Sequence, residues 1–237
     1  MVEIFEDRVR DLELRARAHQ ALSDEHRVLI ADLLHASDRT PGELAAMTGM
    51  PSNLMAFHLK TLEEAGLVER RRSEGDSRRR YVCLREEGLR LLGLDRRPPA
   101  PESVVFVCTH NSARSQFAEA LWRARGHDGV WSAGTDPADQ VHPFAVAAGR
   151  RFGLDLSGMQ PKGYQAVPSE AGLVITVCDR ALESEPPLAG PRSHWSIPDP
   201  VGRGSDAFEA AFAEIAARME TLGSRADASL PAPIERT

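Results

Sequence analysis

The spacing of apolar residues changes rhythm close to position 100. Before it, apolar side chains recur every three or four residues. After it, short apolar runs alternate with amphipathic stretches. In HQALSDEHRVLIADLLHA, Val28, Leu29, Leu33 and Leu34 follow a helical face. Ser23 is the expected N-cap there, with Asp24 and Glu25 in the first turn. TPGELAAMTGM predicts a short helix entered near Pro41 and closed at a glycine. PSNLMAFHLKTLEEAGL predicts a second helix, with Leu54, Phe57, Leu62 and Ala65 near one face. LVERRRSEGDSRRRYVCL reads as strand, turn and strand, with Val68 and Tyr81–Val82 flanking the turn. REEGLRLLGL closes the segment as a helix.

Beyond GLDRRPPAPE the order becomes strand, helix, strand. VVFVC, VWSAG and AGLVITVC are expected strands, and SHWSIP a short one. SARSQFAEALWRARG, HPFAVAAGRRFG and SDAFEAAFAEIAARMETL are expected helices. Apolar strands alternating with helices predict a parallel sheet covered on both faces. The chain therefore divides into residues 1–94, a proline-rich linker 95–102, an α/β domain 103–224, and a tail 225–237. The expected fold class is a two-domain chain: a mainly α winged helix-turn-helix, then an α/β domain with a central parallel sheet.

Composition narrows the function. No run of eighteen apolar residues is present, and the charged start MVEIFEDRVRDLELRARAHQ lacks the core of a signal peptide, so no membrane association is expected. Cys83, Cys108 and Cys178 are too few for a disulfide framework and suit a reducing cytoplasm. The net charge of −6 argues against wholesale nucleic-acid affinity. Basic charge is instead concentrated in RRRSEGDSRRR, at Arg70, Arg71, Arg72, Arg78, Arg79 and Arg80.

Two tightly spaced helices followed by a basic hairpin make a winged helix-turn-helix whose second helix lies in the major groove of DNA. Ser52, Asn53, Met55, Ala56 and Lys60 are its candidate exposed positions, and His58 a packing residue or phosphate contact. Lys60 and the hairpin arginines would meet phosphates of an operator duplex.

CTHNSAR carries the second chemistry. Cys108 ends the strand VVFV, five residues follow, and Arg114 opens a helix. A strand that ends in a loop and enters a helix gathers backbone N–H groups around one point. Such a nest takes a tetrahedral oxyanion, and the same field stabilises a thiolate at Cys108. Thr109, His110, Asn111, Ser112, Ala113 and Ser115 are the candidate anion-binding residues, and Arg114 can grip two oxygens. Ser115 and Asn111 can hold the loop or donate to sulfur, and His110 is a rim residue rather than a base. Asp199, before Pro200, is the candidate general acid. Cys178 ends another strand and is expected on the same rim as Cys108. The histidines show no ligand spacing, and no bound metal or cofactor is expected.

LSDEHRVLIADLL, TPGELAAMTGM, HLKTLEEAGLVERRR and GDSRRRYVCL resemble the ArsR family of bacterial winged-helix repressors over about residues 15–92. The resemblance implies a homodimer paired through terminal helices of this domain. TPGELAAMTGM has no cysteine, so the thiolate metalloid sensor of many members is missing. VFVCTHNSARSQFAEAL, WSAGT, VHPFAV, GLDLSGMQPK, VITVCD and HWSIPDPVG resemble the low-molecular-weight tyrosine phosphatases, and more closely their arsenate reductase branch, over about 103–222. That resemblance implies nucleophilic Cys108 and general acid Asp199. VGRGSDAF follows the Asp-Pro in place of the aromatic wall of tyrosine phosphatases. In thioredoxin-coupled relatives a cysteine at the place of Cys178 attacks the first, and another about seven residues on completes the relay. Here that position is Glu185, so the relay is incomplete, and the resemblance leaves two routes: an external thiol (mycothiol, glutathione with glutaredoxin, or thioredoxin), or Cys178 as a catalytic residue with later external reduction. Lys162 stands where some relatives hold potassium through a carboxylate, and supplies a cation itself. The expectation is a DNA-binding regulator fused to a thiol-dependent arsenate reductase. The alternatives are a tyrosine phosphatase fused to a DNA-binding domain, or a non-enzymatic oxyanion-sensing regulator.

Overall fold

The computed structural model describes residues 2–85 and 100–222 of the chain. The expected helix REEGLRLLGL beyond Arg85, most of the linker 95–102 and the tail 225–237 lie outside the described residues.

The first domain runs α1 (Val2–Ala21), α2 (Glu25–Ala36), α3 (Pro41–Thr48), α4 (Ser52–Glu64), then an antiparallel hairpin of β1 (Val68–Arg72) and β2 (Arg80–Leu84). The cap of α2 is Asp24, not Ser23. Its carboxylate accepts from the N–H groups of His26 and Arg27, while the Ser23 hydroxyl turns back to the Gln20 carbonyl and closes α1. Thr40 and Glu43 form a capping box at α3, and Gly49 ends it at φ 70°. The buried face of α2 is Ile30, Ala31 and Leu34, whereas Leu29 is exposed. The buried face of α4 is Met55, His58, Leu59 and Leu62, a run of i, i+3, i+4, i+7, and leaves Leu54 and Phe57 outside. Ile30, Leu34, Met55, Leu59 and Leu62 pack with Leu44, Leu67, Val68 and Val82 into one core.

The second domain is built on four parallel strands in the order β4-β3-β5-β6: β3 (Val104–Cys108), β4 (Val130–Gly134), β5 (Leu173–Thr176) and β6 (Arg192–His194). The short strand thus falls just before and into SHWSIP. Helices α5 (Arg114–Ala124), α6 (Pro143–Arg151), the five-residue α7 (Asp179–Glu183) and α8 (Ser205–Thr221) surround the sheet. All five residues of β3 are buried because helices cover both faces. Phe117 of α5 stacks on Phe212 of α8 with ring centroids 3.9 Å apart and meets Phe152 edge-on. The chain goes from β3 to β4 on one side and then to β5 on the other. The order reverses beside β3, the place where open α/β sheets bind ligands at their C-terminal ends.

The domains share more than the linker. Between α2 and α3, the Asp38 N–H donates to His194 O on β6 at 2.8 Å, and Arg39 bridges to Val82 on β2. Ser37 Oγ accepts the His194 N–H, and Ser193 Oγ donates to Ala36 O. One extended segment therefore joins the wing to the free edge of the parallel sheet. Buried Asp38 accepts from the Ser196 N–H at 2.7 Å and pairs with Arg218 of α8 at 2.9 Å. Burial alone would weaken the proton affinity of Arg218; Asp38 and Glu214 outweigh it and raise it.

Candidate active site

Cys108 ends the central strand at the switch point, and residues 109–113 loop over it into the first turn of α5. Asn111 takes φ 46°, a left-handed conformation that asparagine tolerates. Gly134 lies directly beneath: a Cβ there would stand 2.7 Å from Thr109 O and 3.0 Å from Asn111 Cβ. The tight loop thus needs a glycine on the neighbouring strand.

The hydrogen bonds of the loop determine what the sulfur receives. Asn111 Oδ1 accepts the Lys162 backbone N–H at 2.8 Å and Gln116 Nε2 at 3.0 Å, which fixes the orientation of the amide. Its Nδ2 then donates to Ser115 Oγ at 2.8 Å and Ser132 Oγ at 2.9 Å. Ser115 Oγ, an acceptor there, has its own hydrogen left for Cys108 Sγ, 2.9 Å away. The Asn111 N–H donates to the same sulfur at 3.2 Å. Cys108 Sγ thus sits as an acceptor of two hydrogen bonds, the arrangement a thiolate favours. Among the described residues, the N–H groups of His110, Ser112 and Ala113 meet no protein acceptor.

Lys162 and Glu119 brace this network. Lys162 Nζ meets Glu119 Oε2 at 2.8 Å, and Ser132 Oγ donates to the same oxygen at 2.6 Å. The lysine cation is therefore neutralised by buried Glu119 and reaches Cys108 only through Ser132, Asn111 and Ser115.

Arg114 is buried, and its guanidinium faces the mouth of the loop. Nη1 donates to Ile197 O at 2.8 Å and Nη2 lies 3.2 Å from Asp199 Oδ1. Burial would lower its pKa, but Cys178, Cys108, Asp199 and Glu74 outweigh that and raise it. Asp199 is partly exposed on the segment after β6, beside Arg114. Cys178 precedes α7 on the same rim, with Thr109 Oγ1 3.4 Å from its sulfur. His110 sits at the edge, its Nδ1 3.0 Å from Asp136 O. The structure therefore brings Cys108, Arg114, Asp199 and Cys178 to one place.

Burial pushes the Cys178 thiol up, with Cys108 adding to it against Arg114. Burial also pushes the Cys83 thiol up, on β2 near Asp38 and Arg218 where the two domains meet. Iodoacetamide at neutral pH is expected to alkylate Cys108 ahead of both, and phosphate to protect it. Peptide mass spectrometry reads the order; Cys178 or Cys83 reacting first would contradict it.

The DNA-facing candidates divide. Ser52, Asn53, Ala56 and Lys60 are exposed on α4, as are Arg70, Arg72, Arg78, Arg79 and Arg80 on the hairpin. Met55, 1% exposed, and His58, 4% exposed, face the core and cannot reach a duplex. Both occupy the buried stripe of α4, whose phase the apolar residues alone did not settle. Arg71 is also turned away: strand alternation points it at the second domain, where it donates to Ser196 O at 2.8 Å and pairs with Glu69 and Glu214. Asp24, His26 and His58 lie within 4.8 Å of one another, but Asp24 already caps α2 and pairs with Arg27.

One participant was invisible in the sequence. The wing turn enters the mouth of the site, and Glu74 Oε2 lies 3.7 Å from Arg114 Nη1. Both Glu74 carboxylate oxygens accept the Asp199 N–H at 2.9 Å. Asp179 Oδ2 accepts the Glu74 N–H at 2.9 Å, and its Oδ1 meets His194 Nε2 at 3.1 Å. Burial would raise the Asp179 carboxyl, yet the His194, Glu74 and Ser196 hydrogen bonds hold it below its usual value. The stability it contributes is complete above the unfolded value of about 3.9 and is lost only as pH falls through the lower folded value.

The family model for low molecular weight phosphotyrosine protein phosphatases matches residues 103–230, more than half of the chain. The chain belongs to this family. Its N-terminal part matches the MarR family model over residues 23–79. An arsenate reductase of Brevibacillus brevis is 34% identical over 125 residues, spanning 50% of this chain and 92% of that protein. A solved arsenate reductase from Archaeoglobus fulgidus is 32% identical, covers 51% of this chain and 98% of its own, and superposes with a TM-score of 0.44. The homodimeric winged helix-turn-helix DNA-binding domain of a Mycobacterium bovis protein is 33% identical, covering 37% of this chain and 79% of its own at a TM-score of 0.33. Among the described residues no helix is long and apolar enough to cross a membrane.

Proposed function

We propose that this chain is a thiol-dependent arsenate reductase joined to a DNA-binding transcriptional regulator, working in the cytoplasm. The observation that carries the reading is Cys108 Sγ accepting from Ser115 and Asn111 beneath a loop whose His110, Ser112 and Ala113 amides are available to an anion. Arsenate enters over the sulfur, held by those amides, Thr109 and Arg114. The Cys108 thiolate attacks arsenic, forming an S–As bond, and one oxygen leaves as water after taking a proton from Asp199. An external thiol then attacks Cys108 sulfur. The S–As electron pair stays on arsenic, which departs as arsenite, and the two sulfurs remain as a disulfide. A second external thiol restores Cys108. With Glu185 where a further cysteine would stand and Cys178 held as a thiol by burial, the reducing thiol comes from outside: mycothiol, glutathione with glutaredoxin, or thioredoxin. Val201, Gly202 and Arg203 follow Asp199–Pro200 as an exposed turn without an aromatic wall, which favours a small oxyanion over a phenolic ester. Arsenite release from arsenate, assayed with each thiol system beside hydrolysis of an aryl phosphate, tests the assignment. Aryl phosphate turnover without thiol-dependent arsenite release would overturn it.

In the regulator, residues 1–94 would bind an operator duplex as a dimer, with 95–102 as linker, 103–224 as the catalytic domain and 225–237 as tail. The exposed Leu12 and Leu14 on α1 suit a helix-paired dimer. Substituting alanine for Lys60 or Arg80 is expected to weaken duplex binding at every sequence alike. The slope of log affinity against log salt should fall by about one for each phosphate no longer neutralised. An unchanged slope would remove that residue from the interface.

A further inference from the structure

The DNA-binding half reaches into the catalytic half at one point of high charge. The segment between β1 and β2 does not end in solvent. Ser73 Oγ donates to Glu183 Oε1 and the Asp76 N–H to Glu183 Oε2, both at 2.6 Å, and Tyr81 OH lies 3.2 Å from the same carboxylate. Gly75 packs so closely that a Cβ on it would overlap Glu183 Oε2. Between these anchors sits Glu74, and its groups are engaged by the other domain. Its N–H goes to Asp179, its carbonyl accepts Arg180 Nε at 3.1 Å, and its carboxylate takes the Asp199 N–H and Arg203 Nη2, the latter at 3.2 Å. The same carboxylate lies 3.7 Å from Arg114 Nη1.

We propose that Glu74 is a wing-borne residue of the oxyanion site, whose carboxylate competes with an entering tetrahedral oxyanion for Arg114, so that site occupancy and wing docking oppose each other. The inference rests on the assignment of residues 108–115 as an oxyanion loop. Arg114 is the cation that both anions can reach, and it already faces Asp199, while Glu74 also pairs with Arg203. A doubly charged oxyanion drawn onto buried Arg114 meets the half-buried Glu74 carboxylate as a like charge, and the two repel. The charge on Arg114 is better satisfied by the oxyanion, which brings two negative charges and also reaches the loop amides. Glu74 then withdraws, and the turn carrying it loosens. That turn leads directly to Arg78, Arg79 and Arg80, so the change reaches the basic edge of the wing. By reciprocity, whatever holds the wing docked lowers oxyanion affinity by the same factor.

The test uses the full chain and inorganic phosphate. Calorimetric titration should show Glu74→Gln binding phosphate roughly tenfold more tightly than the wild type, since the amide keeps the size and loses the charge. Gly75→Ala, which crowds Glu183 without touching any charge at Arg114, should tighten phosphate in the same direction. In the wild type, hydrogen exchange at the Glu74, Asp76 and Asp199 amides should speed up on saturation with phosphate, at ionic strength matched with chloride. Equal affinity in all three proteins, with no change in those amides under saturating phosphate, overturns the competition while leaving the oxyanion loop intact. Failure of phosphate to bind any of them overturns the loop assignment and the competition together.

Discussion

Cys108→Ser is expected to lower arsenite production by about 10⁴-fold or more while leaving the fold and duplex binding in place. The size follows from what the sulfur does. In the proposed reaction Cys108 Sγ is the atom that bonds arsenic, and its lone pair starts the transfer of two electrons. Serine keeps the hydrogen bonds from Ser115 and Asn111, both of which an oxygen accepts, so the loop should retain its shape and its anion. Phosphate affinity measured on the variant separates the two roles. Lost turnover with phosphate binding kept assigns Cys108 to the chemistry. Turnover near the wild-type rate would remove it from the reaction.

Asp38→Ala should cost about 3–5 kcal/mol of stability, the usual loss when one member of a buried ion pair is removed. Asp38 is 2% exposed and meets both Arg218 and the Ser196 N–H. Alanine takes the nearest countercharge from the Arg218 guanidinium, which keeps Glu214 at 3.2 Å. For a chain of this length that loss corresponds to a fall of roughly 10 °C in melting temperature. Thermal unfolding followed by circular dichroism measures it, and a fall under about 2 °C would show the pair to be dispensable.

The shape of the candidate oxyanion loop was legible because its parts are consecutive. A strand, a thiol, small polar residues, an arginine and a helix lie in one stretch from Val104 to Ala124, and local geometry does the rest. The types of α2 to α6, of α8 and of the six strands were legible for the same reason, whereas α1 and the short α7 were not. Phase was harder. Along α4, two apolar stripes interleave, and packing against Leu44 and Leu67 selected Met55 and Leu59 over Leu54 and Phe57. Arg71 looked like its neighbours Arg70 and Arg72 because charge is read by count, whereas a strand distributes it by alternation. Glu74 carried no signal at all. It stands 125 positions from Asp199, and its turn composition, Ser-Glu-Gly-Asp-Ser, is that of any hairpin tip. Asp38 was equally hidden, since a buried acid between two helices reads as an ordinary loop residue until its partner on α8 is known.

Because the stretch from Ser37 to Arg39 is laid between Val82 and His194, the parallel sheet has no open border on that side. An isolated 103–224 fragment would expose a strand margin and leave Arg218 without its aspartate. The two halves should therefore melt in a single transition, and a protease cutting the linker should leave them associated as a nicked pair.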